Sequence, residues 1–266
     1  MARVTLRDVT LAYDDEGTGV PMLLIHGFPL GRWIWDDTRT SLSKRFRVIT
    51  PDLRGHGDSE VTPGPYTMDL LAEDMARLLD ALRIDRAVVG GLSMGGYVTF
   101  AFWRKFRDRV LGLILCDTRA AADGPGEKVV RQSTAQTALE RGTGAVVDGM
   151  LPKLLAPRTL EDRKELVARI RERLVRTDPK AVAGALLGMK DRPDSTPTLA
   201  TIDVPTLIVV GADDQLTPPT LARDMQSRIK GAVLEVVENA GHLPPVEQPE
   251  ATSRMLGAFL EKLDCS

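Results

Sequence analysis

Short, nearly unbroken apolar runs alternate along the chain with longer amphipathic segments, and this limits the folds open to it. "PMLLIHG", "RVITPDL", "AVVGG", "VLGLILCD", "PTLIVVGA" and "AVLEVVEN" lack a polar face, as strands covered on both sides do. Between and after them lie "TMDLLAEDMARLLDALR", with Thr67 placed as an N-cap, "MGGYVTFAFWRKF", "PPTLARDMQSRIK", opening on prolines, and "PEATSRMLGAFLEKL". These carry helix-start signals and helical periodicity. Buried strands separated by helices build a mostly parallel sheet with helices on both faces, so the expected class is α/β. "VTLRDVTLAY" alternates instead, like one exposed antiparallel strand.

The series is interrupted between about residues 118 and 198. Strand-like runs vanish there, and "TLEDRKELVARIRERLVRT" and "DPKAVAGALLGMK" read as successive helices. The expected organisation is a core of residues 1–117 and 199–266 with an inserted all-helical cap, 118–198. The cap's Arg-rich face (Arg163, Arg169, Arg171, Arg173, Arg176) is interspersed with Glu and Asp and reads as solvated helix surface.

A chain of 266 residues, 43% hydrophobic and 27% charged with net charge −2, can bury a sizeable interior. It carries no electrostatic footprint for nucleic acid or an anionic membrane. "MARVTLRDVTLAYDDEG" lacks the apolar core of a signal peptide, and no apolar run approaches membrane-spanning length. The expected location is cytoplasmic. Cys116 lies in a buried run and Cys265 at the end of the chain, which implies neither a disulfide framework nor a metal site.

The chemistry centres on "AVVGGLSMGGYVTF". Ser93 stands between Gly91 and Gly95, after a strand and before a helix. Flanking glycines permit a strand–turn–helix corner so tight that the central hydroxyl projects outward. A serine needs a base to take its proton, and the base needs orienting. The chain has 3 histidines, His26, His56 and His242, each on a loop at a strand end where reacting groups gather. Chain order selects His242, because an elbow serine is followed by an acid and then the histidine. "VVGADDQLTPP" supplies Asp214 as the favoured acid and Asp213 as its neighbour, with Asp117 a third choice. "HGFP" after an early strand places the Phe28 N–H to bind an oxyanion, and the Met94 N–H follows the nucleophile.

Taken together, "HGFPL", "PDLRGHGDS", "GGLSMGGYV", "GADDQLTPP" and "AGHLPPVEQPE" resemble the α/β-hydrolase superfamily over nearly the whole chain. "GGLSMGGYV", "GLILCDTRA" and "LLGMKDRPDS" are similar to small bacterial carboxylesterases with a helical cap. The resemblance implies a serine ester hydrolase without cofactor, acting on a small-molecule ester. It implies Ser93 as nucleophile, His242 as base, Asp214 as acid, and Phe28 and Met94 as oxyanion donors. The family's acid falls on the third residue after the glycine of "GADDQLTPP", which favours Asp214 over Asp213. Asp52 and His56 belong to a loop that in such proteins supports structure. Dehalogenases and epoxide hydrolases carry an aspartate where this chain has Ser93. Enol-lactonases, perhydrolases, C–C bond hydrolases and hydrolase-derived receptors share the serine elbow. A lactonase for an acidic substrate would need an inward arginine, Arg119 or Arg158. Apolar cap residues (Met150, Leu154, Leu155, Leu186, Leu187) are expected to roof the cleft and limit the acyl chain.

Overall fold

A computed structural model describes residues 1–264; Cys265 lies outside the described residues. The chain opens with β1 (Ala2–Thr5) and β2 (Thr10–Glu16), an antiparallel hairpin. The single strand read from the sequence is therefore two. Arg7 and Asp8 bend the chain, and the Leu6 N–H donates to the Val9 carbonyl at 2.8 Å, which closes a turn that the alternating pattern runs straight through. The parallel strands follow: β3 (Pro21–Ile25), β4 (Arg47–Pro51), β5 (Ala87–Leu92), β6 (Val110–Cys116), β7 (Thr206–Gly211) and β8 (Val233–Val237). They form one 8-stranded sheet in the order β1-β2-β4-β3-β5-β6-β7-β8, parallel from β4 to β8.

Alternate residues of the central strands feed two separate cores. Leu23, Val89, Leu113 and Ile208 face one side, where α2 (Met68–Ala81), α3 (Met94–Phe106) and α10 (Pro219–Arg228) pack. Met22, Val88, Ile114 and Leu207 face α1 (Asp36–Leu42) and α12 (Pro249–Asp264). This two-sided burial is why those runs are apolar throughout. β8 departs from the expectation: Val233 is 41% exposed, because an edge strand is covered on fewer sides than a central one. Thr67 caps α2, its hydroxyl accepting the Leu70 N–H at 3.1 Å. α1 and the 3-10 turn Arg32–Trp35 before it were not anticipated; neither start carries a side-chain cap.

The chain between β6 and β7 contains only helices: α4 (Pro125–Arg141), α5 (Thr143–Leu154), α6 (Pro157–Asp162), α7 (Lys164–Val175), α8 (Pro179–Lys190) and α9 (Thr196–Leu199). "TLEDRKELVARIRERLVRT" is not one helix. Arg163, at φ −119 and ψ 52, leaves helical geometry and divides α6 from α7. The Arg-rich face is exposed, but its partners come from elsewhere: Arg171 pairs with Asp148, and Arg173 lies over the Trp33 ring. After β8 the chain passes His242 and forms α11 (Pro244–Glu247) before α12. No described helix is long and apolar enough to cross a membrane.

Candidate active site

The turn from β5 into α3 holds Ser93 at φ 56 and ψ −113, a conformation that non-glycine residues rarely adopt. The packing explains it. A Cβ on Gly91 would lie 2.1 Å from the Gly95 carbonyl carbon, and one on Gly95 would lie 2.3 Å from the Ile25 oxygen. The corner is closed by main chain against main chain, and only glycine fits. The Ser93 N–H donates to the Cys116 carbonyl at 2.9 Å, and the Thr118 hydroxyl donates to the Ser93 carbonyl at 2.8 Å. Met94 opens α3, so its N–H is among those that have no partner within the helix.

Beyond β7, Asp214 is buried and its carboxylate is saturated with donors. Oδ1 accepts the N–H groups of Leu216 (2.8 Å) and Thr217 (3.1 Å), and Oδ2 accepts the Thr217 hydroxyl (2.6 Å). Oδ2 also meets His242 Nδ1 at 2.8 Å. Burial works to raise the Asp214 pKa, but His242 and the Thr217 hydrogen bonds outweigh it and hold the carboxyl well below its ordinary range. An ionised Asp214 makes Nδ1 the donor, so Nε2 is left as the acceptor. Asp213, by contrast, is exposed. Asp117 is buried beside the pair; its Oδ1 accepts the Gly211 N–H at 2.8 Å. Burial and then the Asp214 charge push the Asp117 carboxyl well above its ordinary pKa. Asp117, Asp214 and His242 offer ligand atoms within 4.8 Å of one another, yet the facing atoms of Asp214 and His242 are already bonded to each other.

The loop after β3 lies against the elbow: a Cβ on Gly27 would be 3.1 Å from Ser93 Cβ. His26 fixes this loop. Its Nδ1–H donates to the Gly27 carbonyl at 2.7 Å, and its Nε2 accepts the Leu53 N–H at 3.0 Å. His56 lies beside it, its ring tilted by 54° with centroids 5.2 Å apart. Asp52 accepts the backbone N–H groups of Arg32 and Asp58 and pairs with the Arg32 guanidinium. These residues build the loops behind the cavity and do not line it.

A cavity of about 310 Å³ brings Ser93 and His242 together with Phe28, Tyr97, Thr217 and Leu216. The helical insertion supplies the opposite wall, including Val146, Met150, Leu154, Leu186 and Met189. Of the residues expected to roof the cleft, Leu155 and Leu187 pack into the cores instead. Arg119, Arg131 and Lys153 also line the cavity, with Glu127. Arg158 is 74% exposed and pairs with Asp162. Arg119, Arg131 and Arg192 converge on buried Asp123, and Arg192 lies 4.0 Å over the Tyr97 ring. Thr118 and Thr217 escaped the sequence reading, since a lone threonine after a strand gives no signal; in hindsight Thr217 is marked only by its place in "DQLTPP".

Buried neutral histidines make the fold sensitive to acid. Burial pulls His26 down to about 4 and His56 to about 3, His56 also feeling the His26 ring. In the unfolded chain both titrate near 6.5. Between those values the unfolded state binds more protons, so stability falls as pH falls, by about 1.4 kcal/mol per pH unit for each histidine. Buried Asp117, kept protonated, acts in the opposite sense, so the histidine share is read by difference. Against a His56→Asn variant, the wild-type urea midpoint should lose ground from pH 7 to pH 5, and a constant difference over that range would contradict the assignment.

The comparisons with known proteins fit this geometry. A family model described as "alpha/beta hydrolase fold" matches residues 20–249. A thermophilic esterase from Thermogutta terrifontis, solved with malate bound, is 44% identical with a TM-score of 0.97, covering 99% of this chain and 100% of its own. The enol-lactonase from Burkholderia xenovorans is 30% identical, with a TM-score of 0.91 and coverage of 98% and 100%. "3-Oxoadipate enol-lactonase 2" of Acinetobacter baylyi is 30% identical over 98% of this chain and 97% of its own length. Sheet order, elbow and family model agree, and the chain belongs to the α/β-hydrolase fold family of hydrolases.

Proposed function

We propose that the protein is a carboxylesterase that cleaves short-chain esters through an acyl-enzyme on Ser93. The observation that carries this is the 2.8 Å contact of His242 Nδ1 with buried, ionised Asp214, the ring opening onto the cavity that holds Ser93. His242 Nε2 takes the Ser93 proton as Oγ attacks the ester carbonyl carbon, and the Phe28 and Met94 N–H groups receive the oxyanion. The carbon–oxygen bond to the alcohol then breaks, and His242 returns the proton to the departing oxygen. Water, deprotonated by the same ring, attacks the acyl-enzyme, and Ser93 leaves with the proton. Asp214 holds the tautomer and stabilises the imidazolium. Asp117, kept neutral by burial, is unsuited to that role. The helical insertion acts as a cap over the acyl pocket. The esterase and lactonase names of the relatives support the same reaction class.

Ser93→Ala should keep the fold and lose nearly all turnover, and an organophosphate should add one dialkylphosphoryl group to Ser93 alone, its leaving group departing with the serine proton. Asp214→Asn should cost on the order of 10⁴ in rate, as loss of the orienting acid does in a serine protease, and far more than Asp117→Asn. Steady-state kinetics and intact-protein mass spectrometry decide both; full activity in the alanine variant would remove the mechanism.

A second reading, lactone hydrolysis, is favoured by Arg119, Arg131 and Lys153 on the cavity wall against Glu127. Such a wall suits a substrate bearing a carboxylate away from the scissile carbonyl. Each methylene that fits the pocket adds about 0.8 kcal/mol of burial. Efficiency should thus rise from acetyl to about propionyl or butyryl p-nitrophenyl esters and fall by octanoyl. A kcat/KM series settles the limit, and a maximum at dodecanoyl would mean the insertion opens. In the same assay, a higher kcat/KM for a hemi-dicarboxylate ester than for its neutral analogue, lost in Lys153→Met, would favour the lactonase reading.

A further inference from the structure

Glu247 takes no part in the reaction proposed above, yet it is a buried carboxyl, 1% exposed, at the end of the turn that follows His242. Its Oε1 accepts the N–H of Gly241 at 2.8 Å and of Leu243 at 3.4 Å, the residues on either side of His242. Its Oε2 accepts the Ala156 N–H at 2.8 Å, and the Thr159 side chain bonds the same carboxyl. Ala156 and Thr159 belong to the helical insertion, where α5 passes into α6. The His242 N–H donates to the Leu154 carbonyl at 2.9 Å, and Arg163 Nη1 donates to the Glu247 carbonyl at 2.7 Å. The fit is close, since a Cβ on Gly241 would lie 2.6 Å from the Ala156 nitrogen. One side chain thus joins the histidine loop to the insertion.

The residue type matters. Every group facing the carboxyl is a donor. An amide of the same shape would turn its NH₂ toward one of those N–H groups and leave a buried donor unpaired. Burial raises the Glu247 pKa, while Thr159 and the backbone donors act against that rise.

We propose that Glu247 is a positioning residue for His242: it fixes the loop so that Nε2 meets Ser93 while Nδ1 stays on Asp214, and it makes that register depend on the seating of the helical insertion. This rests on His242 being the base. The charged and titratable groups around that ring are Asp214 and Asp117 at the ends of β7 and β6, Tyr97, Arg119, Glu127, Arg131 and Lys153 on the cavity wall, and Glu247 with Arg163 behind the loop. Removing the Glu247 charge takes one negative charge from this set and leaves Asp214, bonded to Nδ1, to favour the imidazolium.

The test compares Glu247→Gln and Glu247→Asp on p-nitrophenyl butyrate from pH 5 to 9, well below each variant's Tm, with active sites counted by organophosphate titration. Glu247→Gln should lose roughly tenfold or more in kcat per titrated site, since small misplacements of a reacting group are costly. KM should stay within about threefold, as expected when ground-state binding is untouched, and the acid limb should move to lower pH. Glu247→Asp keeps the charge but is too short to span Gly241 and Ala156, so it should lose kcat while the acid limb stays in place. If both variants keep wild-type kcat and acid limb and lose only Tm, the proposal is overturned. If the glutamine variant does not fold, kcat per titrated site of the aspartate variant decides alone. A wild-type enzyme without an acid limb, or an active His242→Ala, would instead overturn the assignment of the base.

Discussion

Backbone contact between the start of α3 and the end of β3 is the constraint on which the site rests. Gly95 packs against the carbonyls of Ile25 and His26, and Gly91 against Gly95 itself. Main chain meets main chain there, and neither partner has a side chain that can yield. Ser93 is driven into its positive-φ conformation, which costs on the order of 1–3 kcal/mol, and the bonds from Ser93 to Cys116 and from Thr118 to Ser93 hold it there. The same contact brings the loop carrying Gly27 and Phe28 alongside. Ser93 and the Phe28 and Met94 N–H groups are placed by one packing event, so an error in it displaces all three.

Around that corner the protein buries several carboxyls, and their hydrogen-bond partners decide which of them keeps its charge. Asp214 and Asp123 are both desolvated, yet both are held below the ordinary carboxylate range, Asp214 by His242 and Thr217 and Asp123 by Arg131 and Arg192. Asp117 has a single backbone donor and faces Asp214, so burial wins and its pKa rises. The pair Asp117 and Asp214 thus separates into a neutral acid and an ion within one cluster. His242 responds to the ion, which is where its Nδ1–H points.

Much of this was legible in the chain because it is encoded locally. Apolar runs and helix caps gave the layers, glycine spacing marked the elbow, and chain order put Asp214 and His242 after Ser93; the structure brings Asp214 and His242 into contact and opens one cavity onto His242 and Ser93. The turn at Arg7–Asp8, the break at Arg163 and the exposure of β8 were not legible. Each depends on a backbone dihedral or on position at a sheet edge, and composition does not carry either. Glu247 and Thr217 are a different kind of omission. Their meaning lies in what they touch, Ala156 or Asp214, and those partners are set by tertiary packing. For the same reason the direction of Arg119, into the cavity, and of Arg158, away from it, had to wait for the structure.

The helical insertion serves two purposes that evolution would find hard to separate. It supplies one wall of the cavity that holds Ser93 and His242, through Met150, Leu154, Leu186 and the cations around Asp123. Its junction between α5 and α6 also supplies the Leu154 carbonyl and the Ala156 N–H that hold the His242 loop. Leu154 does both, lining the cavity and giving its carbonyl to the His242 N–H. A change that reshapes the wall at α5 therefore shifts the His242 loop as well, and under the proposed mechanism selectivity and reactivity are tuned together. Changes along α4, whose Val130, Arg131 and Thr134 reach the cavity without bonding the His242 loop, leave that loop in place. On the proposed mechanism, specificity is free to vary along α4 and is tied to catalysis along α5.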